Sequence, residues 1–460
     1  MVFSSSVFMF LFLPTVLLLY YTICRNKKSL KNSLLFLSSI FFYAWGEPLV
    51  VFLMLFSIVI NYFLGLLMNN KNKRVFLALS IVFNLSFLFV FKYLDFALET
   101  IGFILQRDFV KTNIALPIGI SFYTFQAMSY IIDVFRGQVK PQKNFINLGL
   151  YIALFPQLIA GPIVRYSTIE KQILGREENI TLFSAGIERF IVGLSKKMII
   201  ANNIGFLADT VYSMKDSELS MSFVWLAAIA YSIQIYFDFS AYSDMAIGLG
   251  QMFGFQFEEN FNYPYISKSI TEFWRRWHIS LSTWFKDYVY IPLGGNRVKP
   301  ARHIFNLFVT WLCTGIWHGA NWTFIVWGLF FFLFLILEKF LKLDKILKYV
   351  GNAYTLLVVI ISWVIFRADS LDHAIFYIFK MFSFDIASFA DKDFLWYLQN
   401  FAVILLLGIV FSTPIAKVLS EKMEQKNYGF IKRIVLFVLM LLSVSFMLRS
   451  SYNPFIYFNF

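Results

Sequence analysis

The sequence predicts an all-α polytopic membrane protein, and three observations carry that prediction. Hydrophobic residues make up 59% of the 460 positions and charged residues only 15%, where a soluble domain averages roughly 25% charged. Apolar runs of bilayer-crossing length, about 17–25 residues, recur along nearly the whole chain. The basic residues behind the net charge of +13 cluster in short loops between those runs, at Arg25–Lys31, Lys71–Arg74, Arg136–Lys143, Lys339–Lys348 and Lys417–Arg433. That is the pattern of cytoplasmic loops, not of a nucleic-acid surface. Roughly 11–12 transmembrane helices are expected, with re-entrant and interfacial helices among them.

The elements follow in order. Val7–Cys24 has no basic residue before it and a basic cluster after it, the reverse of a secretory signal; it reads as an uncleaved helix with its N-terminus outside. Spans are expected at 33–45, 49–68, 75–94 and 114–132. The apolar stretch 147–164 carries Pro156, Gly161 and Pro162. Backbone freed by such residues must be buried in protein or line a cavity. Span 183–203 holds Glu188, Arg189, Lys196 and Lys197, which suggest an amphipathic or partly buried helix. Span 221–250 is long, and 304–337 is one hairpin or two half-spans. Spans 353–367, 396–418 and 433–449 complete the set. Parity puts loops 25–31, 69–74, 136–143 and Lys417–Arg433 inside, and 46–48, 95–113 and the acidic loop Asp385–Asp393 outside. Both termini then lie outside. Residues 1–460 read as one multi-pass domain, with a chemistry-bearing segment at 236–322 and an aromatic tail at 450–460. No repeat of the kind seen in many transporters is visible. Cys24 and Cys313 offer neither a disulfide framework nor metal-ligand spacing, and no metal site is expected.

Three segments carry polar groups suited to chemistry. Trp317-His318-Gly319-Ala320-Asn321 interrupts the apolar run from Ile304 to Leu337. A histidine at membrane depth is costly and points to chemistry or transport, although a lone histidine between helices also serves as a satisfied polar contact. Gly319 leaves room beside the ring, Asn321 adds a polar group, and a neutral imidazole is a general base toward a hydroxyl. The second segment, Thr271–Trp284, combines Arg275, Arg276 and His278 with three tryptophans. It reads either as an interfacial helix with snorkelling arginines or as a mouth where Arg275 or Arg276 binds a donor's phosphate. Within the third, Tyr236–Asp244, Asp238 and Asp244 sit in an otherwise apolar helix. They are expected to orient a histidine or to pair with Arg275, Arg276 or Arg297. His303 and His373 stand alone near expected helix ends. No P-loop, nucleophile elbow or His/Cys cluster occurs.

These residues resemble a family. Phe155-Pro-Gln-Leu-Ile-Ala-Gly-Pro-Ile163, Tyr236-Phe-Asp-Phe-Ser-Ala-Tyr-Ser-Asp244, Asn262-Tyr-Pro-Tyr265, Phe273-Trp-Arg-Arg-Trp-His-Ile-Ser-Leu281 and Trp317-His-Gly319 look like the membrane-bound O-acyltransferase (MBOAT) superfamily. The branch they are most similar to is that of bacterial alginate and cell-wall polysaccharide O-acetylation, and the opening Met1-Val-Phe-Ser-Ser5 and Tyr43-Ala-Trp-Gly-Glu-Pro48 match it too. The resemblance implies a ring of helices around a thin centre with a funnel, where tunnels from both faces meet at a histidine. It puts the catalytic histidine at His318 and the second at His278, with Asp238, Asp244 and Asn321 in support. It further implies acetyl transfer from a cytoplasmic thioester, acetyl-CoA or an acyl carrier protein, to an extracytoplasmic polysaccharide hydroxyl. No tightly bound cofactor is expected. A secreted or membrane-anchored acetyltransferase- or esterase-like partner is expected, along with membrane lipid. The tail Phe455-Ile-Tyr-Phe458 resembles the end of a small membrane peptide serving teichoic-acid D-alanylation, which makes Tyr457 a candidate acyl relay; an aromatic interfacial anchor is the plainer reading. D-alanyl transfer, a polysaccharide or acyl transporter, and a silent scaffold are the alternatives.

Overall fold

Long apolar stretches with few interior prolines fold as helices, the element that satisfies its own backbone away from water. Among the described residues no strand occurs. The structure is a computed structural model that describes residues 1–69, 71–159, 161–343, 349–384, 391–425, 428–449 and 452–456. Among the described residues, six helices are long and apolar enough to cross a membrane: Lys73–Leu105, Ile180–Tyr212, Met221–Met252, Trp322–Leu341, Lys392–Phe411 and Gly429–Arg449. Three further apolar helices are shorter, Phe8–Tyr21, Val51–Leu67 and Gly351–Arg367. The other expected spans are realised as shorter or more polar helices, or as broken ones. The chain divides into two compact units, Met1–Phe190 with Met245–Glu258, and Ile191–Asp244 with Glu259–Phe460.

The first unit contains α1 (Leu13–Tyr21), α2 (Lys28–Ala44), α3 (Val51–Leu67), α4 (Lys73–Leu88), α5 (Leu94–Leu105), α6 (Ile120–Arg136), α7 (Phe145–Ala153) and α8 (Tyr166–Gly175). A π-helical turn at Phe89–Tyr93 joins α4 to α5, so the helix expected at 75–94 runs on to Leu105. The expected span 147–164 is not one helix. α7 stops at Ala153, ahead of Pro156, and Leu154, Phe155, Leu158, Ile163 and Val164 are buried in irregular backbone. Its freed groups find partners, as buried backbone must: Phe155 N–H donates to Ser39 Oγ (3.0 Å) and Tyr151 Oη to Val164 O (2.9 Å). Phe155 also packs edge-on against Phe12, with ring centroids 5.3 Å apart.

The helix α9 (Ile180–Ser195), a π-helical turn over Lys196–Ala201, and α10 (Asn202–Tyr212) form one rod. The charges at 196 and 197 therefore do not end the span; they lie inside it. α11 (Met221–Met252) is buried on nearly every side, as its lack of an amphipathic stripe requires. Two short helices, α12 (Ile270–Arg276) and α13 (Ile279–Phe285), precede the interrupted apolar run.

That run becomes a hairpin of α14 (Pro300–His318) and α15 (Trp322–Leu341). Asn321 starts α15, its side-chain oxygen accepting the Thr323 N–H at 3.1 Å, a regular N-cap. Two glycines bring the helices to backbone contact. A Cβ on Gly328 would stand 2.5 Å from the Trp311 carbonyl oxygen, and one on Gly315 2.6 Å from that of Phe324. Beyond the hairpin lie α16 (Gly351–Arg367), α17 (Leu371–Met381), α18 (Lys392–Phe411), α19 (Ile415–Gln425) and α20 (Gly429–Arg449).

The hairpin's closeness is testable. Gly328→Ala gains helix propensity, roughly 1 kcal/mol, but forces α14 and α15 apart. It should lower thermal stability in detergent by about 1–3 kcal/mol net of that gain, the usual range for overpacking. Gly175→Ala, where a Cβ meets nothing within 4 Å, should leave the melting temperature unchanged.

Candidate active site

α14 ends on His318, and the extended backbone of Gly319 turns the chain away from the helix axis. The His318 ring is buried among aromatic faces. Trp317, Trp327 and Phe366 stand edge-on to it, with centroids at 4.9, 4.8 and 5.3 Å. The space beside Gly319 is not open: a Cβ there would lie 2.2 Å from the Phe324 ring. Phe324 fills the room the sequence suggested for the imidazole's neighbour. Gly319 is required because that ring packs against it.

Two cavities lie near this layer, one at the closed end of the hairpin and one beside the middle of α14. The larger, about 480 Å³, is lined by Asn321, Thr323 and Phe324 at the start of α15, and by Phe366, Arg367, Ala368 and Asp369 at the end of α16. Asp209, Tyr231, Gln234 and the tail residues Asn453–Ile456 close it. The smaller, about 160 Å³, lies among α12, α13 and α14, with Trp274, Trp311, Lys286, Tyr290 and Thr314 in its wall. Thr314 is one helical turn before His318. Phe366 separates the imidazole from the larger cavity. Trp327, which meets Trp274 at 5.7 Å, stands between it and the smaller one. His318 thus lies behind one aromatic side chain, Phe366, of the larger cavity and behind two, Trp327 and Trp274, of the smaller.

His278 joins the same layer, since its ring also meets Trp317, with centroids 6.3 Å apart. It occupies a left-handed backbone position, φ 43°, between α12 and α13. Its Nδ1 donates to Asn260 Oδ1 at 3.2 Å, and that oxygen also accepts from Ser280 N (3.1 Å) and Ser280 Oγ (2.9 Å). A neutral ring held by Nδ1–H carries its lone pair on Nε2. Burial pushes the His278 pKa down to about 3, so the ring is neutral at physiological pH.

The remaining candidates fall elsewhere. Arg276 is committed to Glu272 (2.9 Å) and to the carbonyl of Asn262 (3.1 Å), while Arg275 and Arg297 are exposed. None of them pairs with the buried aspartates, contrary to the sequence expectation. Asp238 instead accepts from Lys197 Nζ at 2.5 Å and Asp244 from Lys196 Nζ at 2.6 Å. Both carboxylates are buried, and so is the Lys197 ammonium, as a buried charge requires a paired counter-charge. Asn321 lines the larger cavity and donates to Asp369 O at 3.0 Å. His303 is not isolated: Lys339 Nζ donates to its Nδ1 (2.7 Å) and Tyr290 Oη lies 2.8 Å from its Nε2. His373 packs edge-on against Tyr377 at 4.7 Å. Tyr457 lies outside the described residues.

Sequence reasoning missed the grip on the tail. Asp238 Oδ2 accepts the Ile456 N–H at 3.0 Å, Lys197 donates to the Pro454 carbonyl, and Phe455 stacks on Tyr242 at 4.9 Å. The tail's Tyr452 donates to Asp209 at 2.6 Å, and the same carboxylate pairs with Arg367 at 3.1 Å. Two lysines in one apolar run and two aspartates in another were the available signal.

The family model described as MBOAT, membrane-bound O-acyltransferase family, matches residues 140–371. The chain is 45% identical over 407 residues to a probable alginate O-acetylase AlgI of Azotobacter vinelandii, covering 85% of this chain and 80% of that protein. The chain belongs to the membrane-bound O-acyltransferase family. It is therefore an acyltransferase and a multi-pass membrane protein. A peptidoglycan O-acetyltransferase of Helicobacter pylori is 34% identical over 520 positions, covering 100% of this chain and 98% of its own. A teichoic acid D-alanyltransferase of Bacillus subtilis is 32% identical over 231 residues, 47% of this chain and 58% of its own. The family match spans His278, His318 and both aspartates, while the C-terminal tail lies beyond it.

The His278 environment sets a pH signature for this acyltransferase. A histidine whose folded pKa is depressed binds a proton more readily when unfolded, so its contribution to stability is lost as pH falls below about 6.5 toward the folded value. Thermal unfolding in detergent should drop between pH 7 and pH 4, and His278→Gln should flatten that part of the slope. An identical slope in the variant would refute the assignment.

Proposed function

We propose that the protein moves an acetyl group from a cytoplasmic thioester across the membrane to a hydroxyl acceptor outside, for polysaccharide O-acetylation. The position of His318, behind Phe366 of the larger cavity and behind Trp327 and Trp274 of the smaller, supports the reading. The end of that hairpin bearing Lys286, Arg302 and Lys339 is the basic, inner one. On this reading the larger cavity faces outward, because the C-terminal tail that follows α20 lines it. The protein sits in the bacterial cytoplasmic membrane with both termini outside.

His318 serves as general base. Its neutral imidazole takes the proton of the attacking hydroxyl as that oxygen bonds to the thioester carbonyl, and the sulfur leaves as thiolate, to be protonated on release. His278, held by Asn260, supports the same layer at Trp317. Acetyl-CoA or an acyl carrier protein supplies the thioester, and its phosphate meets the basic inner mouth, with exposed Arg275 closer to hand than ion-paired Arg276. Tyr457, the residue after Ile456, is the first acceptor. A phenyl ester keeps more transfer potential than an alkyl ester, so it can pass the acetyl group to a secreted or membrane-anchored partner. Acetyl is favoured over D-alanyl because the acetylating relatives match nearly twice the share of this chain.

Proteoliposomes loaded with a radiolabelled acetyl thioester on the inner side test this. Wild type should acquire a hydroxylamine-labile label and pass it to an outer acceptor, and a D-alanyl thioester should serve poorly. His318→Ala should reduce transfer by about 10²–10⁴, the usual contribution of a general base, without loss of fold. Tyr457→Phe should abolish the protein-bound label. Full activity in His318→Ala would refute the mechanism; full activity in Tyr457→Phe would refute the relay alone.

A further inference from the structure

We propose that the buried Lys197–Asp238 pair is a two-point clamp for the chain's own C-terminal segment, fixing Pro454–Ile456 as a wall of the acceptor cavity. The proposal rests on the reading of that cavity as the acceptor side.

A buried ion pair is a poor source of stability, because desolvation offsets much of the attraction and apolar replacements often serve as well. This pair does more than neutralise itself. Asp238 uses Oδ1 for Lys197 and keeps Oδ2 for the Ile456 N–H, 3.0 Å away, while Lys197 spends a second donor on the Pro454 carbonyl. The Pro454 carbonyl and the Ile456 amide thus each find a side-chain partner, as buried backbone groups must. Pro454 suits the arrangement, since it lacks an N–H that would otherwise need a partner inside the bundle.

The side chains of the segment add direction. Phe455 lies against Tyr242 on the helix that carries Asp238, and the Lys197 ammonium sits 5.5 Å over the same ring. Asn202 donates to Asn453 Oδ1 at 3.3 Å. The π-helical turn Lys196–Ala201 inserts the extra residue that such turns bring. Adjacent lysines thereby reach two aspartates six positions apart on α11. Lys197 and Asp238 are positioning residues on this account: they touch the segment's backbone, and the segment forms the cavity wall.

The test uses the full chain in proteoliposomes with Cys24 and Cys313 replaced by serine and with Asn202→Cys and Asn453→Cys added. A short bis-methanethiosulfonate reagent should link the two cysteines readily, as read by mass spectrometry. Adding Lys197→Met together with Asp238→Leu removes both charges at once and leaves an apolar bundle. Linking should then fall several-fold while size-exclusion profile and melting temperature hold. Undiminished linking would overturn the clamp. Should that double variant fail to fold, Asp238→Asn keeps an oxygen for Ile456 and loosens Lys197. It should give intermediate linking, and wild-type linking there would overturn the proposal as well. With native Asn202 and Asn453, Lys197→Met/Asp238→Leu should lose about 100-fold in kcat, the order expected for a misplacement near 1 Å, with the donor KM unchanged. Unchanged kcat would overturn the positioning claim. A wild type that transfers no acetyl group would sink the proposed reaction, whereas the linking result would still judge the clamp.

Discussion

A charge inside an apolar helix bundle must find its counter-charge, because no water is there to solvate it. The second unit is organised around that constraint. Asp238 and Asp244 on α11 draw Lys197 and Lys196 from a π-helical turn, and the pairing sets the rotation of both long helices about their axes. Asp238 then reaches the tail, and the tail closes the larger cavity. One electrostatic requirement therefore links the helix register to the shape of the space in front of His318.

The histidine itself is placed by different physics. Hairpin glycines 315 and 328 let α14 and α15 touch, Asn321 caps the second helix, and three aromatic side chains, Trp317, Trp327 and Phe366, surround the imidazole. Aromatic rings fill volume without presenting strong competing hydrogen-bond groups.

Much of the architecture was legible along the chain. The hairpin at 304–337 announced itself by its polar break, and the prolines near 156 and 162 foretold a stretch of buried irregular backbone in place of a helix. The span at 183–203 was harder to read because its lysines look like a solvated face. They are inside because their partners, forty residues away, are inside too. A hydropathy reading treats each charge alone and cannot see that two opposite charges cancel. The same blindness assigned Asp238 and Asp244 to nearby arginines, which were the cations closest to the chemistry in sequence but lie exposed or engaged with Glu272.

The sequence by itself determined that this is a polytopic helical acyltransferase, and it singled out His318 and His278. Composition, span length and a few ordered motifs depend on local chemistry, which the order of residues states directly. Tertiary structure alone decided that both histidines meet the Trp317 ring, that Phe324 occupies the space beside Gly319, and that the tail lines the cavity and is held by Lys197 and Asp238. Those facts rest on which distant side chains become neighbours, and in a bundle that is chosen by packing and charge compensation across helices, not by spacing along any one of them.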